Sequence, residues 1–147
     1  MKKTFQVRDL ELIEKELVEN FVGVLAVTLD NEKVVQAATT FLYLDKNIYI
    51  FFDKETEIYE DINLDNNGSF IILKNESLIG IETAHKYRLM SISISGAVKK
   101  VEDLKLLDEL KKNYAKKYPE ENENLLTLNK ALIIDTDEIL ALDEQIE

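Results

Sequence analysis

Gly23–Phe52 reads GVLAVTLDNEKVVQAATTFLYLDKNIYIFF, and its punctuation decides the architecture. Three β-branched and aromatic runs, Gly23–Leu29, Lys33–Leu44 and Ile48–Phe52, are separated only by Asp30-Asn31-Glu32 and Asp45-Lys46-Asn47. Side chains of this kind fit a pleated, half-buried surface. Connections this short cannot carry a parallel crossover, so the three runs form an antiparallel meander. Asn47 suits a left-handed turn position.

Working outward, Lys54–Asp65 changes period. Ile58, Ile62 and Tyr59 gather on one side of a short acidic helix, which Asn66-Asn67-Gly68 breaks. Strands are expected at Ser69–Lys74, Leu78–Thr83 and Lys86–Val98. In the last of these Met90, Ile92 and Ile94 alternate with Ser91, Ser93 and Ser95. Gly96 then marks a bulge or a close approach. No base stands in register with the serine row, which reads as a small-residue strand surface.

A helix follows over Asp103–Tyr118, with Asp103 as its cap. Leu104, Leu107, Leu110 (or the stem of Lys111), Tyr114 and Tyr118 form its apolar stripe. Lys111, Lys112, Lys116 and Lys117 offset the negative end of its dipole, and Pro119 stops it. Ala131–Ile134 and Glu138–Leu142 read as closing strands or a strand and turn. Upstream, Asp9 caps a helix to Asn20 that carries Leu10, Ile13, Leu17 and Phe21, with Gly23 ending it. Six or seven strands with two or three helices predict a mainly β protein. The short connections favour a closed or nearly closed antiparallel barrel, because closure removes exposed sheet edges.

The 147 residues suit one domain, covering 1–147, with an N-terminal helical part over 1–22 and an acidic segment over 119–147 closing the barrel. A hydrophobic fraction of 46% is enough for a core, and there is no cysteine for disulfide, thiolate or zinc–sulfur chemistry. No apolar run approaches the ~20 residues of a membrane span, and charges interrupt the N-terminus before a signal sequence could form. A cytoplasmic location is expected, without membrane contact. Net charge is −11, and beyond Pro119 nine acidic residues face one Lys130. Nucleic-acid binding needs a basic stripe to displace phosphate counterions, and none is present. The acidic segment reads as a solvated surface, with partner docking as its other role.

The order of elements resembles the pyridoxamine 5'-phosphate oxidase-like family of FMN-binding split barrels over about Leu10 to Leu142. Gly96-Ala97-Val98, then Val101-Glu102-Asp103, a helix and Lys117-Tyr118-Pro119 carry it best. The resemblance implies a six-stranded antiparallel split barrel and a homodimer. It also implies a flavin site in the dimer cleft and, with the flavin, oxidoreductase activity. On this sequence it puts Thr39 and Thr40 near the phosphate or ring edge. Phe52, Asp53 and Lys54 would lie at a strand end, with Thr56, Tyr59 and Glu60 on the following helix. Anchored on Asn63-Leu64, however, Ile58-Tyr59-Glu60 falls where the family has hydroxyl and basic groups. The second strand also lacks the oxidases' arginine. Compensating charge is sought from Lys54, Lys86 or Arg88.

The rival reading keeps the barrel but loses flavin, its cleft serving haem, another ligand or a structural role. His85, the single histidine, is a candidate base or haem ligand, although a lone histidine in a turn is usually solvated. Glu55, Glu57, Glu60 and Asp61 lack calcium-loop spacing and read as a wet helix face. No metal site is expected, and phosphate-loop, dinucleotide and paired-histidine motifs are absent.

Overall fold

A computed structural model describes residues 1–53, 56–77, 87–120 and 128–146. Along the chain run β1 (Lys2–Val7), α1 (Leu10–Glu19), β2 (Gly23–Thr28), β3 (Val34–Thr39), β4 (Leu42–Leu44) and β5 (Asn47–Phe52). They are followed by α2 (Ile58–Asp61), β6 (Asn67–Ser77), β7 (Tyr87–Lys100), α3 (Leu104–Lys117) and β8 (Lys130–Ile146). One antiparallel sheet has the order β3-β2-β6-β7-β8-β5-β4, and β1 pairs with the far end of β8. No described helix is long and apolar enough to cross a membrane.

The expected meander is present, with one informative break. β2 pairs with β3, and β4 pairs with β5 across a turn in which Asp45 and Lys46 hold φ of 49° and 67°. Asn47 is not in that left-handed position. It starts β5, and its Oδ1 accepts the Thr136 amide at 3.0 Å. The run Lys33–Leu44 is not a single strand either. It breaks at Thr40-Phe41, leaving β3 on one edge of the sheet and β4 on the other. The sheet is therefore open and strongly curled, and this one continuous stretch of chain joins its two edges without pairing them. Phe41 turns into the core there and meets Phe70 at 4.7 Å between ring centroids. Counting β3 and β4 together, the barrel has six strands: β2, β3–β4, β5, β6, β7 and β8.

The closing segment is one strand with a bulge. Ser95 pairs with Glu138 but Gly96 pairs with Thr136, so Asp137 is skipped. The extra residue flips the alternation, and Ile134 and Ile139 both face the core despite their odd separation. Gly96 is the close approach that the sequence implied, since a Cβ there would run into the Asp135 carbonyl.

Inside the barrel pack Leu25, Val27, Ile48, Ile50, Phe70, Ile72, Ile92, Ile94, Leu132 and Ile134, with Ile13 and Leu17 of α1. Asp9 caps α1 through the amides of Glu11 and Leu12, and Asp103 caps α3 through that of Lys105. Each cap satisfies amides that the first helical turn leaves unpaired. α3 lies on the outside of β4–β5, where Leu110 and Tyr114 cover Leu42, Tyr49 and Phe51. Both faces of IYIFF are therefore buried.

Several boundaries differ from expectation. Residues 2–7 form a strand rather than part of the opening helix, held by pairing with β8. Leu10 and Phe21 are exposed, leaving Ile13 and Leu17 as the buried face of α1. Leu104 is 75% exposed and does not pack, because α3 turns its Leu107–Leu110–Tyr114 face inward. α2 is a single turn, with Tyr59 buried and Ile58 outside. The strand expected at Leu78–Thr83 lies wholly within 78–86, outside the described residues.

Candidate functional site

The residues expected at the cleft separate into two groups. In the first, Phe52 ends β5 and Asp53 starts the turn into α2. The Asp53 carboxylate accepts the Thr56 hydroxyl at 2.6 Å, and its carbonyl accepts the Thr56 amide at 3.3 Å. Tyr59 then points inward. Its ring lies 5.2 Å from that of Phe52, and its hydroxyl donates to the Ala131 carbonyl at 3.2 Å. Burial raises the Tyr59 phenol above its ordinary pKa, and Glu60 adds to the rise.

Two lysines complete this group. The β5–β8 register sets Lys130 beside Phe52, and Lys100 ends β7 alongside β8. Lys130 Nζ lies 5.5 Å and Lys100 Nζ 4.8 Å from the centroid of the Tyr59 ring. Glu60 reaches across them, accepting from Lys130 at 2.8 Å and facing Lys100 at 3.7 Å. The Lys130 hydrogen bond, then its charge and that of Lys100, hold the Glu60 carboxyl below the usual carboxylate range. Two ammonium groups therefore gather with Glu60, and with Glu102 near enough to act on Tyr59, where the sequence showed only Ile58-Tyr59-Glu60.

Sequence reasoning missed these lysines because they lie 40 and 70 residues beyond Glu60, and only the strand register brings them in. Arg88 does not compensate Glu60. It makes two bonds to Asp143, at 3.1 and 2.8 Å, at the opposite end of β7. Lys54, Lys86, His85 and Glu55 lie outside the described residues. Among the described residues no grouping of His, Asp and Glu could hold a metal ion.

The second group forms around the break between β3 and β4. Thr39 donates its hydroxyl to the Thr40 carbonyl at 3.1 Å, and the Thr40 hydroxyl meets the Tyr114 hydroxyl at 3.0 Å. Tyr118 accepts the Phe41 amide at 3.1 Å. Its single proton has two carbonyls in reach, Phe21 at 2.6 Å and Phe41 at 3.0 Å. Lys117 donates to the Phe41 carbonyl at 3.1 Å, with Nζ 3.8 Å from the centroid of the Phe41 ring. Burial pushes the Lys117 amine down to about 8 and the Tyr118 phenol up to about 12. Thr40 is thus tied to the end of α3 with Thr39 beside it, while Tyr59 and Glu60 meet the lysine pair, Phe52 lies against Tyr59, and Asp53 and Thr56 bond each other.

No protein-family model and no curated protein matches this chain. Solved structures do. A candidate 5-nitroimidazole antibiotic resistance protein from Bacteroides thetaiotaomicron aligns with a TM-score of 0.75 at 15% identity, covering 100% of this chain and 93% of that one. An FAD-binding protein from Mesorhizobium loti aligns at 0.66 and 17% identity, covering 100% of both chains. HutZ, the haem storage protein of Vibrio cholerae, aligns at 0.68 and 11% identity, covering 93% of this chain and 96% of that one. At these identities the agreement is one of fold, and the chain has the split-barrel fold of the pyridoxamine 5'-phosphate oxidase-like proteins.

Proposed function

We propose that this chain is a homodimeric, FMN-binding split-barrel oxidoreductase in which Lys100 and Lys130 hold the flavin phosphate. The lysine pair on Tyr59 carries the reading. A phosphate monoester needs cationic donors, and charge-assisted hydrogen bonds to it are roughly twice as strong as neutral ones. Both ammonium groups lie within 5.5 Å of the Tyr59 ring centroid, and Glu60 is an exposed counterion that a dianion can displace. Flavin, once bound, supplies electron transfer through its ring, while the chain's residues anchor and orient it. An FAD-binding protein among the similar structures supports a flavin.

The dimer rests on a sheet face that α3 leaves bare. Ala38, Val24, Ile71, Ser93 and Leu140 form one cross-strand row, and Leu73, Ser91 and Leu142 form the next. Neither row contains a charge, and Leu73 and Leu140 are 53% and 47% exposed. An apolar face without charge suits a self-complementary contact with a second copy. Light scattering should give twice the 17.0 kDa of the monomer, and Leu140→Lys should shift the mass toward one copy.

The direct test is titration of FMN and of riboflavin, which lacks the phosphate, into the apoprotein. FMN should bind at least tenfold tighter than riboflavin, and the Lys100→Met/Lys130→Met double variant should lose that difference. Equal binding of the two flavins by the wild type removes the phosphate site. Haem is the second reading, favoured by the HutZ likeness. Saturable haem binding with no flavin binding would replace the proposal.

A further inference from the structure

The cluster at the end of α3 opens onto a cavity that shares no residue with the Lys100–Lys130 site. It measures about 470 Å³, within the roughly 300–1,000 Å³ of small-molecule sites. The last turn of α1 and the chain beyond it contribute Val18 and Phe21, and β4 contributes Leu42, Tyr43 and Leu44. α3 closes the third side with Lys117. Val18 and Phe21 are more than half exposed, so apolar surface faces the opening rather than the protein interior.

Lys117 is the unusual member. A lysine normally keeps its ammonium in water while its stem covers apolar surface. Here the ammonium is itself half-buried against Phe41. One of its three N–H donors is taken by the Phe41 carbonyl. The aromatic face and the negative end of the α3 dipole offset part of its desolvation. No carboxylate pairs with it among the described residues. Glu19 also lines the cavity, without forming an ion pair to Lys117, and Asn113 and Lys116 complete the wall.

We propose that this cavity binds a small apolar carboxylate, with its hydrocarbon body against Val18, Phe21, Leu42 and Leu44 and its anionic head paired with Lys117. Part of the ammonium's desolvation is already met before the ligand arrives, so the head group gains an ion pair in a partly water-excluded site. A neutral ligand of the same shape gains only the apolar contacts. A cationic ligand meets Lys116 and Lys117 and is repelled.

Protonation of Lys117 makes the site sensitive to pH. The charged or titratable groups around it are Glu19 from α1, Tyr43 from β4, and Tyr114, Lys116 and Tyr118 from α3. Burial raises the phenols of Tyr43 and Tyr118, so both remain neutral where Lys117 titrates, near 8. The protonated fraction of Lys117 falls about tenfold from pH 7 to pH 9, and carboxylate affinity should fall with it.

The experiment is a methyl NMR titration of the full chain with octanoate and, separately, octanol. Saturable octanoate shifts are expected at the methyls of Val18, Leu42 and Leu44, with octanol at least tenfold weaker. Lys117→Met should bind octanoate no better than octanol, and Lys117→Arg should keep the preference. Val18→Trp should fill the opening and weaken both ligands. Octanoate affinity equal to that of octanol, an unchanged Lys117→Met or Val18→Trp, or the absence of saturable shifts would overturn the proposal. If Lys117→Met does not fold, the pH series and the octanoate-to-octanol ratio of the wild type decide the matter.

Discussion

Two clusters on this fold hold ammonium groups against aromatic rings, but they resolve the charge in opposite ways. At Tyr59 two lysines from β7 and β8 meet an exposed carboxylate, and the cluster is nearly neutral and wet. At Phe41 one lysine from α3 is half-buried with a carbonyl and two rings for company. The first arrangement suits exchange, because a multiply charged anion can take the place of Glu60 at little cost in desolvation. The second suits selection, because its ammonium is already partly desolvated and rewards a matching anion. The supporting hydrogen bonds differ in the same sense. Ala131 accepts from both Tyr59 and Val101, whereas the Phe41 amide depends on Tyr118 alone among the described residues.

The largest effect expected is loss of the platform under Lys117. Leu110 is fully buried between α3 and β4–β5, and Leu110→Ala should destabilise the protein by about 2–5 kcal/mol. Leu104→Ala, on the exposed side of the same helix, should change stability by less than about 0.5 kcal/mol. Denaturant unfolding measures both, and similar values would mean that α3 docks through another face. Next come the tyrosines. Tyr118→Phe strips the Phe41 amide of its acceptor and should cost about 1–3 kcal/mol, the range for an orphaned buried donor. Tyr59→Phe leaves Ala131 still bonded to Val101 and should cost about 0.5–1.5 kcal/mol. A reversed order would break the contrast between the two clusters.

The pH dependence of stability sharpens the contrast further. Folding lowers the Lys117 value from 10.5 to about 8, so between those values the unfolded chain binds more protons than the folded one. Stability from this group is therefore least below pH 8 and rises as pH climbs toward 10.5. Unscreened, that difference is worth about 3 kcal/mol, and partial exposure of the ammonium reduces it to about 1–2 kcal/mol. The raised phenol of Tyr118 works the other way above about pH 10, since the unfolded chain then loses its proton first. The readable window is pH 8 to 10. Wild type should gain about 1 kcal/mol relative to Lys117→Met across it, and parallel curves would show that the ammonium is fully hydrated.

Much of the fold could be read from local chemistry. Two short turns defined the meander, Asp9 and Asp103 are caps by residue type, and Gly96 sits where no Cβ fits. What was hidden depended on register and closure. KKTFQV has no strong pattern and becomes β1 only because β8 offers a partner edge. Nothing local marks Thr40-Phe41 as the point where one strand becomes two, since Phe41 leaves the sheet to fill the barrel centre beside Phe70. The site followed the same rule. Phe52, Asp53, Thr56, Tyr59 and Glu60 are close in sequence and stayed together. Lys100 and Lys130 reach Tyr59 and Glu60 through β5–β8 and β7–β8 pairing, which no local window contains.

The smallest expected effect tests the meaning of Glu60 itself. On sequence alone its carboxylate opposes a phosphate, whereas in the structure it is the counterion of two lysines. Both accounts say that Glu60→Gln tightens FMN binding, by roughly fivefold at low salt for an exposed charge in high dielectric. Both also say that the gain shrinks as salt screens it, and that thermal stability hardly moves, because exposed ion pairs contribute little. They separate in the Lys100→Met/Lys130→Met background. If Glu60 acts by repulsion, Glu60→Gln still improves FMN affinity there, because the phosphate still sees the removed charge. If it acts by occupying the lysines, the improvement disappears with them. Fluorescence titrations of the four proteins, with riboflavin as the phosphate-free control, distinguish the two. The geometry favours occupation, because Lys130 already donates to Glu60 at 2.8 Å and Lys100 faces the same carboxylate.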